Sequence, residues 1–290
     1  MPSVNLVAML NNYTESLRIG AHPQYRAIAY RFITAVKGDL THDSIADYID
    51  ALLEEGYAIG TIAKMHIRVI RQVCATNGVA FPLKRGEWPE PKEGDVIPKS
   101  MHRDLIARYV ETAKTSRKVR ADDRALLALS TVYGMRRVEL ATMGPVTIDL
   151  KAGIVYVNTA KHGRERWHGI PPVIRPYLQI RWAPKTPYMV SESFWRLTDA
   201  AGLGNEPMVR EMGWHSIRRA LVRGLEDAHL QDTTINIFMR WARSKKDMRQ
   251  AYASVVVVGE GGEMTDPGRL DKETDTAVFA VHPFLSLWEG

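Results

Sequence analysis

The chain has 290 residues, 45% of them apolar and a quarter charged, with a formal net charge of +6 and a pI near 9.3. That length and apolar share suffice for two buried cores, and the moderate basic excess favours a polyanionic partner. A single cysteine, Cys74, excludes an internal disulfide framework and a cysteine-rich zinc site. The expected compartment is therefore reducing and cytoplasmic: residues 1–12 lack a basic start followed by an apolar run, and no stretch approaches the roughly 20 apolar residues of a membrane span.

In chain order, Asp43 is placed to cap a first helix whose apolar positions Ile45, Tyr48, Ile49, Leu52 and Leu53 recur at helical spacing, and Gly56 ends it. Thr61 stands where the next N-cap belongs. Ile62, Met65, Val69, Ile70 and Val73 then form one apolar face, with Lys64, Arg68 and Arg71 on the polar side as a solvated or DNA-contacting row. Residues 81–94, rich in proline, glycine and charge without a period, read as a linker. Beyond it, Asp122 or Asp123 can cap the run 125–129, which is apolar on nearly every side and predicts a buried helix ending at Gly134. Two short β-prone runs, 154–157 and 166–170, are joined through Lys161-His-Gly-Arg, where Gly163 supplies a hairpin turn.

Helices resume from Ser191. A further one from about Asp232 is expected to carry Ile237, Phe238 and Trp241, so that Trp241, one turn after Ile237, faces inward. Last comes an apolar segment, 277–288, which must pack on its own domain or dock on a neighbour. The expected organisation is an all-α N-terminal domain over residues 1–85, a linker at 86–98, and a mainly α domain with a small β-hairpin sheet over 99–254. A tail at 255–290 follows.

Four basic or ionisable clusters fall in order in the second domain: Gly134-Met-Arg-Arg-Val-Glu-Leu140, Lys161-His-Gly-Arg-Glu-Arg166, His215-Ser-Ile-Arg218, and Arg243 through Tyr252. The first resembles the Gly-Leu-Arg-x-Ser-Glu-Leu signature of the tyrosine recombinase (phage integrase) family. The second is similar to that family's β-hairpin lysine, the third to its His-x-x-Arg box, and the last to its C-terminal nucleophile. The resemblance covers residues 25–254, including a helical core-binding domain carrying Gly56-Tyr-Ala-Ile-Gly-Thr-Ile-Ala-Lys64.

The chemistry of strand exchange explains the residue types. A phosphodiester under in-line attack gathers charge on its non-bridging oxygens, which planar, permanently charged guanidinium groups neutralise; Arg136 and Arg218 fit. The resemblance implies Tyr252 as nucleophile, His215 as its proton acceptor and Lys161 as the acid for the departing 5′ hydroxyl. Glu139 would hold a neighbouring histidine or arginine in place. Arg164 and Arg166 are expected to touch phosphates.

The family places a hydrogen-bond donor nine residues before its tyrosine, which selects Arg243 here, with Trp241 as the alternative. The resemblance implies double-stranded DNA as partner, a homo-tetramer on DNA, no cofactor and no metal, and a prokaryotic nucleoid or the host cell of a virus or plasmid as setting. A relaxing activity of the type IB topoisomerase kind, or a catalytically silent DNA-binding relative, are the competing readings.

Overall fold

A computed structural model describes residues 6–17, 23–36, 40–90, 99–158, 165–241 and 269–289. The chain divides into two compact units, Met1–Ile97 and Pro98–Gly290.

The first unit is helical: α1 (Leu6–Ser16), α2 (Pro23–Ala35), α3 (His42–Glu54), a single turn α4 (Ile59–Thr61), a π-helical turn (Ile62–His66) and α5 (Ile67–Thr76). The cap of α3 is Thr41, two residues before the expected Asp43. Thr41 accepts from the Ser44 backbone N–H, and the Ser44 hydroxyl accepts from Thr41 N–H, a reciprocal box that leaves Asp43 in the first turn beside the positive helix end. Ile45, Tyr48, Ile49 and Leu52 are buried, whereas Leu53 is exposed.

Thr61 is not a cap either. It has helical backbone angles and lies inside a helix that began at Ile59, and the π turn after it brings His66 into the core, 2.8 Å from the Tyr48 hydroxyl. Ile62, Val69, Ile70 and Val73 are buried, and Lys64, Arg68 and Arg71 lie on the exposed side. Part of the expected linker belongs to this unit: Leu83 is buried, and Phe81 and Trp88 meet edge to face over the same core.

The second unit holds α6 (Arg103–Thr115), α7 (Ala121–Tyr133), α8 (Arg137–Ala141), β1 (Ile148–Asp149), β2 (Ile154–Val157), β3 (Arg166–Gly169), α9 (Arg175–Leu178), α10 (Pro187–Ala200), α11 (Trp214–Asp227), α12 (Asp232–Phe238) and α13 (Arg269–Ala280). The sheet is antiparallel in the order β1-β2-β3, with Val155 opposite His168 and Val157 opposite Arg166. The two-residue β1 is too short to leave a periodic signal in the sequence.

The central element is α7, every residue of which from Ala125 to Tyr133 is buried. Its N-cap is the backbone of Arg120 and not an aspartate. Asp122 and Asp123 sit inside the first turn, where Asp122 meets Lys185 and Asp123 takes two bonds from Arg196, at 3.0 and 2.7 Å. Likewise α10 starts at Pro187, ahead of Ser191, because Thr186 caps it by accepting from Met189 N–H. The C-terminal segment packs on α7: the Trp288 indole donates to the Thr131 hydroxyl at 3.0 Å, and His282 Nε2 lies 3.0 Å from the Val132 carbonyl.

Gly134 ends α7 in the left-handed region, with φ of 56°. A Cβ there would come within 2.7 Å of Met239 Cε and 3.2 Å of Leu221 Cδ2, besides carrying a side chain into a backbone region that costs roughly 1–2 kcal/mol. Gly134→Ala should therefore lower the unfolding free energy of this unit by about 2 kcal/mol, read as an earlier denaturant midpoint with unchanged slope.

Candidate active site

The turn at Gly134 directs the chain across the end of α7, so that Arg136 becomes the N-cap of α8. Its backbone N–H donates to Glu139 Oε2 at 2.8 Å and its guanidinium to Oε1 at 2.6 Å. Glu139 is fully buried. Burial pushes its carboxyl upward, but Arg240 and the bonds from Arg136 outweigh that, so the group sits below the usual carboxylate range and is ionised.

Arg218 enters from α11, one turn after the exposed His215. It is buried, and its guanidinium donates to the carbonyls of Gly134 and Met239, which terminate α7 and α12. Two helix C-termini thus present their negative poles to it. Burial, then the nearby charges of Arg240 and Arg136, lower its pKa to about 9. The Trp241 ring covers its other side, 5.9 Å from the guanidinium carbon.

Trp241 does not lie on α12. That helix stops at Phe238, and Arg240 takes a left-handed backbone with φ of 58°, which turns Trp241 away from the Ile237 face and onto Arg218. The expectation of a tryptophan on α12 fails because a positive φ breaks the spacing rule, although the ring does pack against the core.

Sequence reading missed Arg240 itself. Its side chain is wholly buried and donates to Glu139 Oε2 at 3.1 Å, to the carbonyls of Tyr133 and Phe238, and to His168 Nε2 at 3.0 Å. The available signal was a lone arginine directly after the apolar run Ile-Asn-Ile-Phe-Met of α12, where a charge is costly unless it is partnered.

Arg166 was expected to touch phosphate, and the structure corrects this. As the first residue of β3 it points into the core, only 3% exposed, and donates to Asp275 of α13 at 2.8 Å. The period-two alternation of the strand sends Trp167 outward and Arg166 and His168 inward. Tyr133, the last residue of α7, is likewise withdrawn from solvent. It is fully buried, donates to the Gly169 carbonyl at 2.8 Å, and burial raises its phenol well above the ordinary value. Arg219, beside Arg218, donates to the Lys99 carbonyl at 3.1 Å.

The structure therefore brings Arg136, Glu139, Arg218 and Trp241 together and sets His215 on the same helix as Arg218. Lys161, Arg164, Arg243 and Tyr252 lie outside the described residues. Lys64, Arg68 and Arg71 belong to the first unit. Among the described residues no group of three His, Cys, Asp or Glu side chains is placed to hold a metal ion, and no helix is long and apolar enough to cross a membrane.

No protein-family model and no curated protein matches the sequence. Solved structures do. A crystal structure of a lambda integrase dimer bound to a COC′ core site is 20% identical, with a TM-score of 0.63 over 91% of this chain and 80% of that one. The Tn1549 transposon integrase in complex with a circular intermediate DNA gives 11% identity and a TM-score of 0.58, covering 84% of this chain and 98% of that one. XerH site-specific recombinase bound to palindromic difH substrate gives 14% and 0.55, over 80% and 79%. The chain has the fold of these integrases and recombinases, mainly helical with a small antiparallel sheet.

Proposed function

We propose that the chain is a site-specific tyrosine recombinase. Tyr252 attacks a DNA phosphodiester, the strand is held as a 3′-phosphotyrosine, and a second 5′ hydroxyl reseals it. The observation that carries this reading is the convergence of Arg136 and Arg218 from different elements, with Arg240 behind them and one carboxylate, Glu139, between. Three guanidinium groups against one carboxylate, among the described residues, leave an excess of buried positive charge that an anion relieves. Two planar donors suit the two non-bridging oxygens of a phosphodiester.

The remaining roles are those that the resemblance to the tyrosine recombinases implies. His215, at the surface end of α11, accepts the phenolic proton, and Lys161 protonates the departing 5′ oxygen. Because the tyrosyl ester keeps the energy of the broken bond, rejoining needs no nucleotide. The first unit supplies the exposed basic row of Lys64, Arg68 and Arg71 for backbone phosphates, and the working assembly is a homo-tetramer on two DNA sites. The similar solved proteins that carry DNA in their structures support duplex DNA as the partner.

Nicked duplexes tiled across the DNA that flanks the gene test the proposal, with excess EDTA in parallel. The expected result is a covalent protein–DNA adduct in both conditions, followed by exchange between two duplexes. Relaxation of supercoiled plasmid without exchange would assign the topoisomerase-like reading, and binding without adduct the silent one. Cleavage that vanishes in EDTA and returns with magnesium would overturn the arginine-based mechanism.

A further inference from the structure

One polar chain runs through the core from α13 to Arg136. Asp275 on α13 accepts from Gly169 N–H at 2.7 Å and from Arg166 at 2.8 Å, and its Oδ1 lies 3.1 Å from His168 Nδ1. His168 Nε2 lies 3.0 Å from an Arg240 nitrogen, and Arg240 reaches Glu139, which holds Arg136. A guanidinium can only donate, so His168 Nε2 is the acceptor and the ring proton sits on Nδ1, donated to Asp275. Burial lowers His168 to about 4, which keeps the ring neutral and this direction of bonding fixed at ordinary pH.

Arg240 is an expensive residue in this position. Its backbone is left-handed without being glycine, and its charge is wholly removed from water, a combination that apolar packing at the same place would avoid. The conformation has two local consequences. The guanidinium fixes the second oxygen of Glu139, and the left-handed turn sets Trp241 against Arg218. Both consequences fall on the two arginines assigned to the phosphate.

We propose that Arg240 is a positioning residue for strand cleavage, held by Asp275 through His168, so that the seating of α13 fixes the geometry of Arg136 and Arg218. The inference rests on the recombinase reading above. It adds to that reading a residue without substrate contact that governs the chemical step, and a reason why the segment after the nucleophile must be docked for cleavage while DNA binding does not require it.

The test uses the full-length protein and single-turnover cleavage at saturating nicked DNA, with DNA affinity measured beside it. Arg240→Gly suits the left-handed backbone and removes the guanidinium together with its buried aliphatic stem. Cleavage should fall about tenfold with affinity nearly unchanged, and Arg240→Lys should recover part of the loss by restoring one charged donor to Glu139. Asp275→Asn should slow cleavage in the same direction.

A second readout separates positioning from packing. Glu139 faces Arg136, Arg218 and Arg240, and without Arg240 its burial is less compensated, so its carboxyl rises and the acid limb of the cleavage profile moves toward neutral pH. Wild-type rate and an unmoved acid limb in Arg240→Gly would overturn the proposal, as would equal losses in cleavage and binding. Failure of the wild-type protein to form any adduct would strike the recombinase reading instead.

Discussion

Tyr252→Phe should abolish covalent attachment to DNA and leave DNA affinity almost unchanged. Only the phenolic oxygen is lost, while the charges proposed to hold the duplex, on Arg136, Arg218 and the row at Lys64, Arg68 and Arg71, remain. The structure removes the main internal competitor. Tyr133 is sealed in the core, bonded to the Gly169 carbonyl, with its phenol held neutral by burial. Tyr188, 71% exposed in the first turn of α10, is an accessible tyrosine to compare with Tyr252. Trapping with nicked DNA reads the outcome directly. Undiminished adduct in Tyr252→Phe, lost in Tyr188→Phe, would move the nucleophile to α10.

Legibility in the sequence followed the kind of interaction. Elements made by local spacing were readable: α7 as an apolar run closed by glycine, β2 and β3 as β-prone runs around a turn, and the buried face of α3. Caps were misplaced at Asp43, Thr61 and Asp122 or Asp123, because several residues in each neighbourhood can accept from a helix N-terminus and tertiary pairing decides among them. Lys185 and Arg196 claimed the two aspartates of α7, for example.

In the site, Arg136, Glu139 and Arg218 were readable since their chemistry and their order along the chain coincide. Arg240, His168 and Asp275 were not. Their meaning lies in contacts spanning up to 109 residues of sequence, as between Arg166 and Asp275, and a positive φ at Arg240 that no residue pattern announces. Arg166 illustrates the opposite error. A basic residue near a hairpin tip reads as a phosphate contact, yet the strand's alternation buries it.

The same positive φ bears on the choice between Trp241 and Arg243 for the last position beside the phosphate. Counting back nine residues from Tyr252 selects Arg243, while the fold places the Trp241 ring against Arg218, half-buried at the edge of the core. An indole held there keeps an apolar face on the guanidinium and has an N–H to offer a phosphate oxygen. Trp241→Phe preserves the ring packing and deletes that donor, so its cleavage rate should fall about 10²-fold, the scale of losing one preformed donor to a developing negative charge. Arg243→Ala should lose less than about tenfold in the chemical step and show its loss mainly as weaker, more salt-sensitive DNA binding. Single-turnover rates at saturating DNA, measured at two salt concentrations, separate the two effects. A mild loss in Trp241→Phe with a severe one in Arg243→Ala would return the role to Arg243. Trp241 would then serve only to pack against Arg218, and the nine-residue spacing to the nucleophile would hold in this chain.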